Sequence, residues 1–471
     1  MLKRLLYIVG ILAAAFAAAC NKTEPEKDAS AFLTSVQVQE NEHPLRIPIS
    51  LTFSQACSYQ IEYWKKDDPT VAGTTRVFQS AEDGTGLVTV MFVYPETVYE
   101  YHVKIIAGEK SYYSDKAEFT TGSLPAGIPE YTVATNYPSQ EIPGYIFQWQ
   151  ATAPGWVVFC DTDGKIVWYE KLEMAARQVT FDPATRTISM LLGFKTSSND
   201  RYFQRWCKKV VVMDLEGNRS VDFLTAPENI DFPHHEIKRM PDGNIAVLCG
   251  TPKVFDLSSI GGEANTTVYG DGIKIMSPDF KTVLWEWDCF QELDPIKDEY
   301  LDAVTRQTDL IHANSIAWDS EGNLYFTSNY LNEMWKIDRA TGKVLYRVGD
   351  YGDIALPENG HASGLHSAEP LAPNKVLLLD NGSDKGVSRA IIYEVDPVAK
   401  TAKVPLSVSI PGDLSSRDRS NALLIRDGSM LFFGSTMGYC NVFTDLDGNV
   451  LKVVKRSKIS YRSYYFDTIE Y

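Results

Sequence analysis

The chain has 471 residues, of which 44% are hydrophobic and 12% aromatic, so it carries enough apolar material for a sizeable core. This composition excludes a disordered chain, and the length favours two or three domains. The 61 acidic residues outnumber the 45 basic ones and give a net charge of −16. Nucleic acid is therefore excluded as the main partner, because phosphate binding needs clustered lysine and arginine, although a few such residues can still build a local anion site.

Residues 1–19 are typical of a bacterial lipoprotein leader. Lys3 and Arg4 precede an alanine-rich apolar run that is short for a membrane span and ends in small residues before Cys20. We expect cleavage before Cys20, which then carries lipid; an ordinary signal peptide or a membrane anchor is the alternative. Residues 20–30 are polar, as expected for a tether. The expected location is the periplasmic face of the envelope or the cell surface, with the lipid as the membrane anchor.

Residues 31–122 alternate apolar and polar side chains, with turn residues between the runs. Period-2 runs at this spacing predict an antiparallel β-sandwich. The runs Tyr99-Glu-Tyr-His-Val-Lys and Ala117-Glu-Phe-Thr-Thr-Gly resemble those of a fibronectin type III or immunoglobulin-like module. A linker rich in glycine and proline follows.

Residues 123–471 contain a repeated turn followed by a β-rich run. The six turns begin at Asp161, Asp214, Ser277, Asp338, Asp396 and Asp445. A second turn precedes most of them, so each repeat predicts two hairpins, which make one four-stranded blade. The predicted fold class is therefore all-β, a six-bladed β-propeller behind the small sandwich; a plain sandwich or a stacked β-array is the alternative. The first repeat has a poor opening strand, and the tail from Tyr461 is expected to supply it.

The innermost strands of a propeller line a central channel, so residues in the same phase of successive repeats converge at its mouth. When the repeats are aligned on the turn between their first two strands, four residues occupy equivalent positions before that turn: His235, Asn314, His366 and Asn421. His312 precedes Asn314 by two positions and shares its face on a strand. Three of the seven histidines therefore converge on one ring, whereas His234 is expected to point the other way.

Such a ring supports two kinds of chemistry. Three histidines are enough for a zinc site, although the nearby carboxylates that usually accompany one are few. Alternatively, imidazole is a competent nucleophile near neutral pH, and protonated histidine with amide N–H groups stabilises oxyanions. Histidines that line the channel without chemistry are the third possibility.

Four segments resemble the bacterial arylsulfate sulfotransferase family. They are His234-His-Glu-Ile-Lys-Arg-Met-Pro-Asp-Gly-Asn, His312-Ala-Asn-Ser, Leu365-His-Ser-Ala-Glu-Pro-Leu, and Asp380-Asn-Gly with Ser388-Arg. The resemblance implies a periplasmic six-bladed propeller that moves a sulfuryl group from an aryl sulfate donor to a phenolic acceptor. It implies a ping-pong reaction through a sulfated histidine, without a nucleotide donor.

By this resemblance His366 is the nucleophile, and His235 and His312 with Asn314 bind sulfuryl oxygens or assist proton transfer. The other expected substrate-binding residues are His234, Asn329, Arg389 and Asn421. The expected partners are the two small aromatic substrates, and neither a cofactor nor a metal is expected.

One position departs from the family pattern. Asn329 stands where the family has an arginine that contacts the sulfuryl group, and an amide is a weaker donor without charge. Arg306, Arg389, Arg417 and Arg419 are candidates to compensate. Two other functions therefore stay open: a non-catalytic propeller that binds a small aromatic or carbohydrate ligand, and a histidine–metal hydrolase or lyase.

Overall fold

The computed structural model describes residues 27–193, 207–224 and 232–471. The expected leader, Cys20 and most of the expected tether lie outside these residues. Every regular element in the described ranges is a β-strand or a short 3-10 turn, which confirms the expectation of an all-β protein. None of the described helical turns is long and apolar enough to cross a membrane. The 3-10 turns are Ala29–Ala31, Ser258–Ile260, Cys289–Gln291, Glu358–Gly360 and Met437–Tyr439.

Ten strands form two sheets at the N-terminal end. They are β1 (Lys27–Asp28), β2 (Leu33–Val38), β3 (Ile47–Phe53), β4 (Ser58–Lys65), β5 (Ala72–Thr74), β6 (Phe78–Gln79), β7 (Thr85–Val90), β8 (Val98–Ala107), β9 (Lys110–Tyr113) and β10 (Ala117–Thr120). One sheet has the order β2-β3-β7; the other has the order β1-β9-β8-β4-β5, with β10 beside β8 and β6 beside β4. In β4 the alternate residues Tyr59, Ile61 and Tyr63 are buried, as the period-2 pattern predicts.

Twenty-five strands follow. They are β11 (Tyr131–Val133), β12 (Tyr145–Trp149), β13 (Gly155–Asp161), β14 (Ile166–Leu172), β15 (Ala175–Asp182), β16 (Thr187–Gly193), β17 (Cys207–Asp214), β18 (Arg219–Leu224), β19 (Pro233–Arg239), β20 (Ile245–Phe255), β21 (Thr266–Met276), β22 (Val283–Asp288), β23 (Ala313–Trp318), β24 (Leu324–Ser328), β25 (Glu333–Ile337), β26 (Val344–Val348), β27 (Leu365–Ala372), β28 (Lys375–Asp380), β29 (Arg389–Asp396), β30 (Thr401–Ser409), β31 (Asn421–Ile425), β32 (Met430–Thr436), β33 (Cys440–Asp445), β34 (Val450–Arg456) and β35 (Ser463–Phe466).

In the described part of the chain these strands form six antiparallel sheets. Four are built from consecutive strands, β15–β18, β19–β22, β23–β26 and β27–β30. The fifth joins β31–β34 with β11, and the sixth joins β12–β14 with β35. Each of the six predicted turns connects the last two strands of its meander, as at Asp161 between β13 and β14 and at Asp445 between β33 and β34. The repeat read from the sequence is therefore a repeat of the sheet.

The last strand completes the first of these sheets. β35 pairs antiparallel with β12, with Tyr465 opposite Ile146, which confirms the prediction that the tail supplies the missing strand. The first strands of successive sheets lie side by side, from β15 through β19, β23 and β27 to β31, and β31 contacts β35. Gln178 Nε2 lies 3.4 Å from the Tyr464 hydroxyl and so links β15 to β35. These contacts close the series of sheets.

The N-terminal sheets share an apolar core with the sheets that follow. Phe92 packs against Phe159 and Tyr471, and the Tyr63 hydroxyl meets that of Tyr471. The Arg46 guanidinium donates to Glu170 at 2.7 Å and to the Leu215 carbonyl at 3.1 Å. The interface therefore combines aromatic burial with a partly buried ion pair.

Candidate active site

β-bulges interrupt the first strands of four successive sheets close to where each strand begins. The register shifts between Ala176 and Gln178, between Pro233 and Ile237, between Ala313 and Ser315, and between His366 and Glu369. Near these bulges His235, His312 and Ser367 have φ values of 50°, 51° and 53°. Left-handed backbone is costly for residues other than glycine, and bulges re-aim side chains beside active sites. The bulges, repeated in successive sheets, turn the histidines toward one chamber.

Three predicted catalytic histidines and one tyrosine form this chamber. The ring centroids of His235 and His312 are 5.1 Å apart, edge to face. The Tyr461 ring lies 5.4 Å from His235 and 6.3 Å from His366. The structure therefore brings His235, His312 and His366 together, as predicted, and adds Tyr461 as their common neighbour.

His366 has the hydrogen bonding of a nucleophile. Its Nδ1 lies 3.1 Å from the Gly364 carbonyl oxygen, so Nδ1 carries the proton and Nε2 carries the lone pair. Nε2 is buried and has no hydrogen-bond partner among the described residues. Burial lowers the pKa of His366 to about 3, with help from the positive charge of Arg462. The ring is therefore neutral near pH 7.

Asn329 is placed beside the nucleophile candidate. Its Nδ2 lies 3.5 Å from His366 Nδ1, and the side chain is half-buried. The predicted position of the missing arginine is thus next to His366, with an uncharged amide in it.

His312 has the opposite electrostatic environment. Burial alone would lower its pKa, but the carboxylate of Asp309, 2.7 Å from Nδ1, outweighs burial and raises it. The ring stacks on Tyr330 at 5.0 Å, and the Arg306 guanidinium lies 5.3 Å from the Tyr330 ring centroid. His312 is therefore the histidine best suited to carry charge near neutral pH.

His234 connects His235 to a buried carboxylate. Its Nδ1 lies 2.9 Å from Nδ1 of His235, and its Nε2 lies 3.1 Å from Oδ1 of Asp271. The other oxygen of Asp271 accepts a hydrogen bond from the Ala313 amide at 2.8 Å. The expectation that His234 points away from His235 is therefore wrong: the two rings meet and both line one cavity, because the left-handed backbone of His235 breaks the alternation of the strand. The far end of His234 reaches a carboxylate that the sequence did not single out.

A buried ion pair lies behind the chamber. Arg462 donates to Glu236 at 2.5 Å and to the Asn314 carbonyl at 2.6 Å, and both charged side chains are fully buried. The guanidinium also lies 5.1 Å from the Tyr461 ring centroid. Because Glu236 compensates its charge, Arg462 supports the chamber wall and holds the strand that follows His312.

Three of the predicted substrate-binding residues are engaged in the fold. Asn314 donates to the Leu365 carbonyl and accepts from Thr327, both at 2.8 Å. The Asn421 side-chain oxygen accepts from the Ser463 amide at 3.2 Å. Arg389 pairs with Asp380 at 2.8 Å and donates to the Asn359 and His361 carbonyls, so it fixes a surface turn.

A cavity of about 230 Å³ opens onto the chamber. His234, His235 and Tyr461 line its inner side, and Arg177 and Arg419 line it as well. His366 is only 1% exposed and is not among the lining residues, whereas Tyr461, whose ring centroid lies 6.3 Å from that of His366, is one of them. A larger cavity of about 570 Å³, lined by Lys238 and Tyr464, begins beyond Glu236 on the same strand as His235.

The arginines give the smaller cavity positive character. Burial lowers the pKa of Arg177. Arg419 pairs with Asp418 at 2.9 Å, and that carboxylate is largely exposed. Arg456 is 6% exposed, and its Nε and Nη2 have no hydrogen-bond partner in the described ranges. Burial and the neighbouring Arg419 lower the pKa of Arg456 to about 10. Arg456 does not line the cavity but neighbours Arg419; the two lining arginines outnumber the one lining carboxylate, so this wall favours an anionic ligand.

The sequence reasoning missed Arg177, Asp271, Tyr461 and Arg462. Two of them carried a usable signal. Tyr461 and Arg462 directly precede the strand that closes the first sheet, which is the position of His312 relative to β23. Arg177 sits in the bulge of β15, the counterpart of the bulge that holds His235, but alternation alone does not reveal bulges. Over the described ranges, no group of three or more His, Cys, Asp or Glu side chains is arranged to hold a metal ion.

Comparison with known proteins gives one family. The model of the family described as arylsulfotransferase (ASST) matches residues 131–462. No curated protein matches the chain. A solved protein of unknown function from Bacteroides caccae is 12% identical over 69% of this chain and all of its own, with a TM-score of 0.44. One from Bacteroides thetaiotaomicron is 10% identical over 92% of this chain and all of its own, with a TM-score of 0.35.

Proposed function

This chain belongs to the arylsulfotransferase family, and on that premise we propose that it moves a sulfuryl group from a phenolic sulfate ester to a phenolic acceptor through His366. The observation that carries this proposal is the state of His366, whose Nδ1 proton is held by the Gly364 carbonyl while the buried Nε2 keeps its lone pair. No nucleotide donor is needed, because the ester itself carries the sulfuryl group.

The first half-reaction forms the Nε2–sulfur bond and breaks the bond between sulfur and the aryl oxygen, whose electron pair leaves with the aryl oxide. In the second half-reaction a phenol oxygen attacks the sulfur of the sulfohistidine, and the electron pair returns to Nε2. A neutral nucleophile suits this sequence, and the lowered pKa of His366 keeps it neutral at pH 7.

The sulfate ester binds in the 230 Å³ cavity, with its charge toward Arg177 and Arg419. These two arginines, one on β15 and one in the loop before β31, supply the positive charge that Asn329 lacks. Protonated His312 donates to the sulfuryl oxygens from the other side. Because His366 does not line this cavity whereas its neighbour Tyr461 does, the Tyr461 ring turns aside when the ester binds.

The domain architecture and the lipid anchor are part of the same proposal. Residues 123–471 form a six-bladed propeller, with each of the six sheets as a blade, and residues 31–122 form a fibronectin III-like sandwich. Cys20 carries the lipid that anchors the mature protein to the envelope. Replacement by Cys20→Ser should move the protein from the detergent phase to the aqueous phase in Triton X-114 partitioning; unchanged partitioning would remove the anchor.

A second candidate function is non-catalytic binding of a small aromatic or carbohydrate ligand. It is favoured by Asn329, which lacks the charge of the family arginine. The two functions differ in whether the protein becomes covalently sulfated.

The test is mass spectrometry of the protein quenched after mixing with a chromogenic aryl sulfate and no acceptor. We expect one added sulfuryl group on His366, its absence from His366→Asn, and a smaller loss of turnover in His235→Asn. His361→Asn serves as the control, because His361 is exposed and lies outside the chamber. Wild-type protein that binds the ester but shows neither modification nor turnover would establish the binding function instead.

A further inference from the structure

We propose that Asp271, His234 and His235 form a proton relay that ends in the cavity. In this arrangement His235 is the general acid and base of the transfer, and His234 and Asp271 are positioning residues. The inference rests on the proposed function, because it assigns the proton that sulfuryl transfer between phenols must move.

The relay is a continuous chain of short contacts. Asp271 Oδ1 lies 3.1 Å from His234 Nε2, and His234 Nδ1 lies 2.9 Å from His235 Nδ1. The contact between Asp271 Oδ1 and His234 Nε2 is an electrostatic one that lacks hydrogen-bond geometry. The charge of the carboxylate favours the His234 proton on Nε2, and in that tautomer Nδ1 of His234 accepts the Nδ1 proton of His235. His235 then presents Nε2 as its basic nitrogen, and His235 lines the cavity in which the phenol binds.

The surroundings of His235 set its resting state. The groups that face it are His234 on its own strand, His312 before β23, His366 on β27, and Tyr461 and Arg462 before β35. Burial and the positive charges among these groups hold the pKa of His235 well below its ordinary value. His235 is therefore neutral near pH 7 and able to accept a proton.

The other two histidines are less suited to this task. His366 is committed to the bond with sulfur, and its Nδ1 proton goes to the Gly364 carbonyl. The Asp309 carboxylate raises the pKa of His312 and so favours its protonated form. His312 therefore donates a hydrogen bond to oxyanions rather than accepting a proton from a phenol. Only His235, of the three, is neutral, adjacent to the cavity and backed by a carboxylate through a second ring.

The proton balance closes over one cycle. When the acceptor attacks, its O–H proton passes to His235 Nε2 as the phenol oxygen bonds to sulfur and the electron pair returns to His366. The added positive charge is shared with His234 and stabilised by Asp271. The same proton is then delivered to the aryl oxide released from the next donor. No further reactant is required.

Asp271 is a costly residue to bury without such a role. It is 0% exposed; Oδ2 accepts a hydrogen bond from the Ala313 amide, whereas Oδ1 lies 3.1 Å from His234 Nε2 without a hydrogen bond. A neutral asparagine would satisfy the amide equally well through its side-chain oxygen. The carboxylate charge is useful where a positive charge develops on the neighbouring histidines.

The experiment compares acceptors that do and do not need a base. Sulfated enzyme is formed with a chromogenic aryl sulfate. The rate of sulfuryl transfer is then measured to a phenol with a pKa of about 10, like that of tyrosine, and to a nitrophenol with two nitro groups, which is ionised at neutral pH. General acid–base catalysis contributes on the order of 10²- to 10⁴-fold. We expect Asp271→Asn and His234→Gln to slow transfer to the weakly acidic phenol by about 100-fold or more. Transfer to the nitrophenol should change only slightly.

The outcomes separate the relay from a structural role and from the proposed function. Equal losses with both acceptors, or no loss with either, would overturn the relay, because a structural defect does not discriminate between phenols. If Asp271→Asn lowers the melting temperature, His234→Gln carries the same comparison. His361→Gln is the matched control and should transfer normally. Wild-type enzyme that never becomes sulfated would overturn the proposed function itself, whereas normal sulfation with unaffected variants would overturn the relay alone.

Discussion

Moving a positive charge from residue 177 to residue 329 tests where the sulfuryl group binds. Arg177 lines the cavity, and Asn329 lies 3.5 Å from the proposed nucleophile His366. A hydrogen bond to a charged group is worth about 1.5–3 kcal/mol. At 1.36 kcal/mol per factor of ten, Arg177→Gln should lower kcat/KM for an aryl sulfate roughly 10- to 150-fold. Adding Asn329→Arg to that variant should recover part of the loss.

The assay is steady-state release of the chromogenic phenol at several acceptor concentrations, with each variant checked by circular dichroism. Arg426→Gln is the control, because Arg426 is exposed, pairs with Asp467 at 2.9 Å and lines the other cavity. A change of less than about threefold on Arg177→Gln would show that Arg177 holds no charge of the transition state, since threefold corresponds to less than 1 kcal/mol. Loss without any recovery in the double variant would place the sulfuryl group away from residue 329.

Two further predictions concern stability. Glu236→Gln leaves the buried Arg462 guanidinium uncompensated and should lower the free energy of unfolding, measured in urea titrations, by about 3–5 kcal/mol. The control Glu321→Gln changes a side chain that is 60% exposed and should have little effect. Equal effects of the two variants would refute the reasoning. Deletion of residues 463–471 removes β35 and the Tyr471 contact with the N-terminal core, so the truncated protein should aggregate or lose cooperative melting; an unchanged melting temperature would contradict the role of this strand.

Much of the architecture could be predicted because it rests on local signals. Turn residues at Asp161, Asp214 and their counterparts mark hairpins, and period-2 burial marks strands such as β4. His235 and His366 have the same position relative to the turn of their repeats, and both lie at one chamber. These features depend on short stretches of chain whose chemistry is visible in the sequence.

The part that could not be predicted depends on departures from regular backbone. His312 has a φ of 51° and lies outside β23, so it does not share the face of Asn314 as alternation would require. Asn314 and Asn421 are in phase with the histidines, yet their amides bridge neighbouring strands. Arg177 reaches the site from the preceding sheet and Asp271 from the third strand of the sheet that holds His235, and no local pattern records either proximity.

The pairing of β35 with β12 also determines when the chamber is completed during folding. Tyr465 pairs with Ile146 across more than 300 intervening residues, and closing a loop of that length costs on the order of 5 kcal/mol in chain entropy. The first sheet therefore cannot be completed until β35 has been made, although later sheets can form from consecutive hairpins. Tyr461 and Arg462 directly precede β35, so the chamber acquires this wall only when β35 pairs with β12. The order in which the chamber is assembled is thus set by topology.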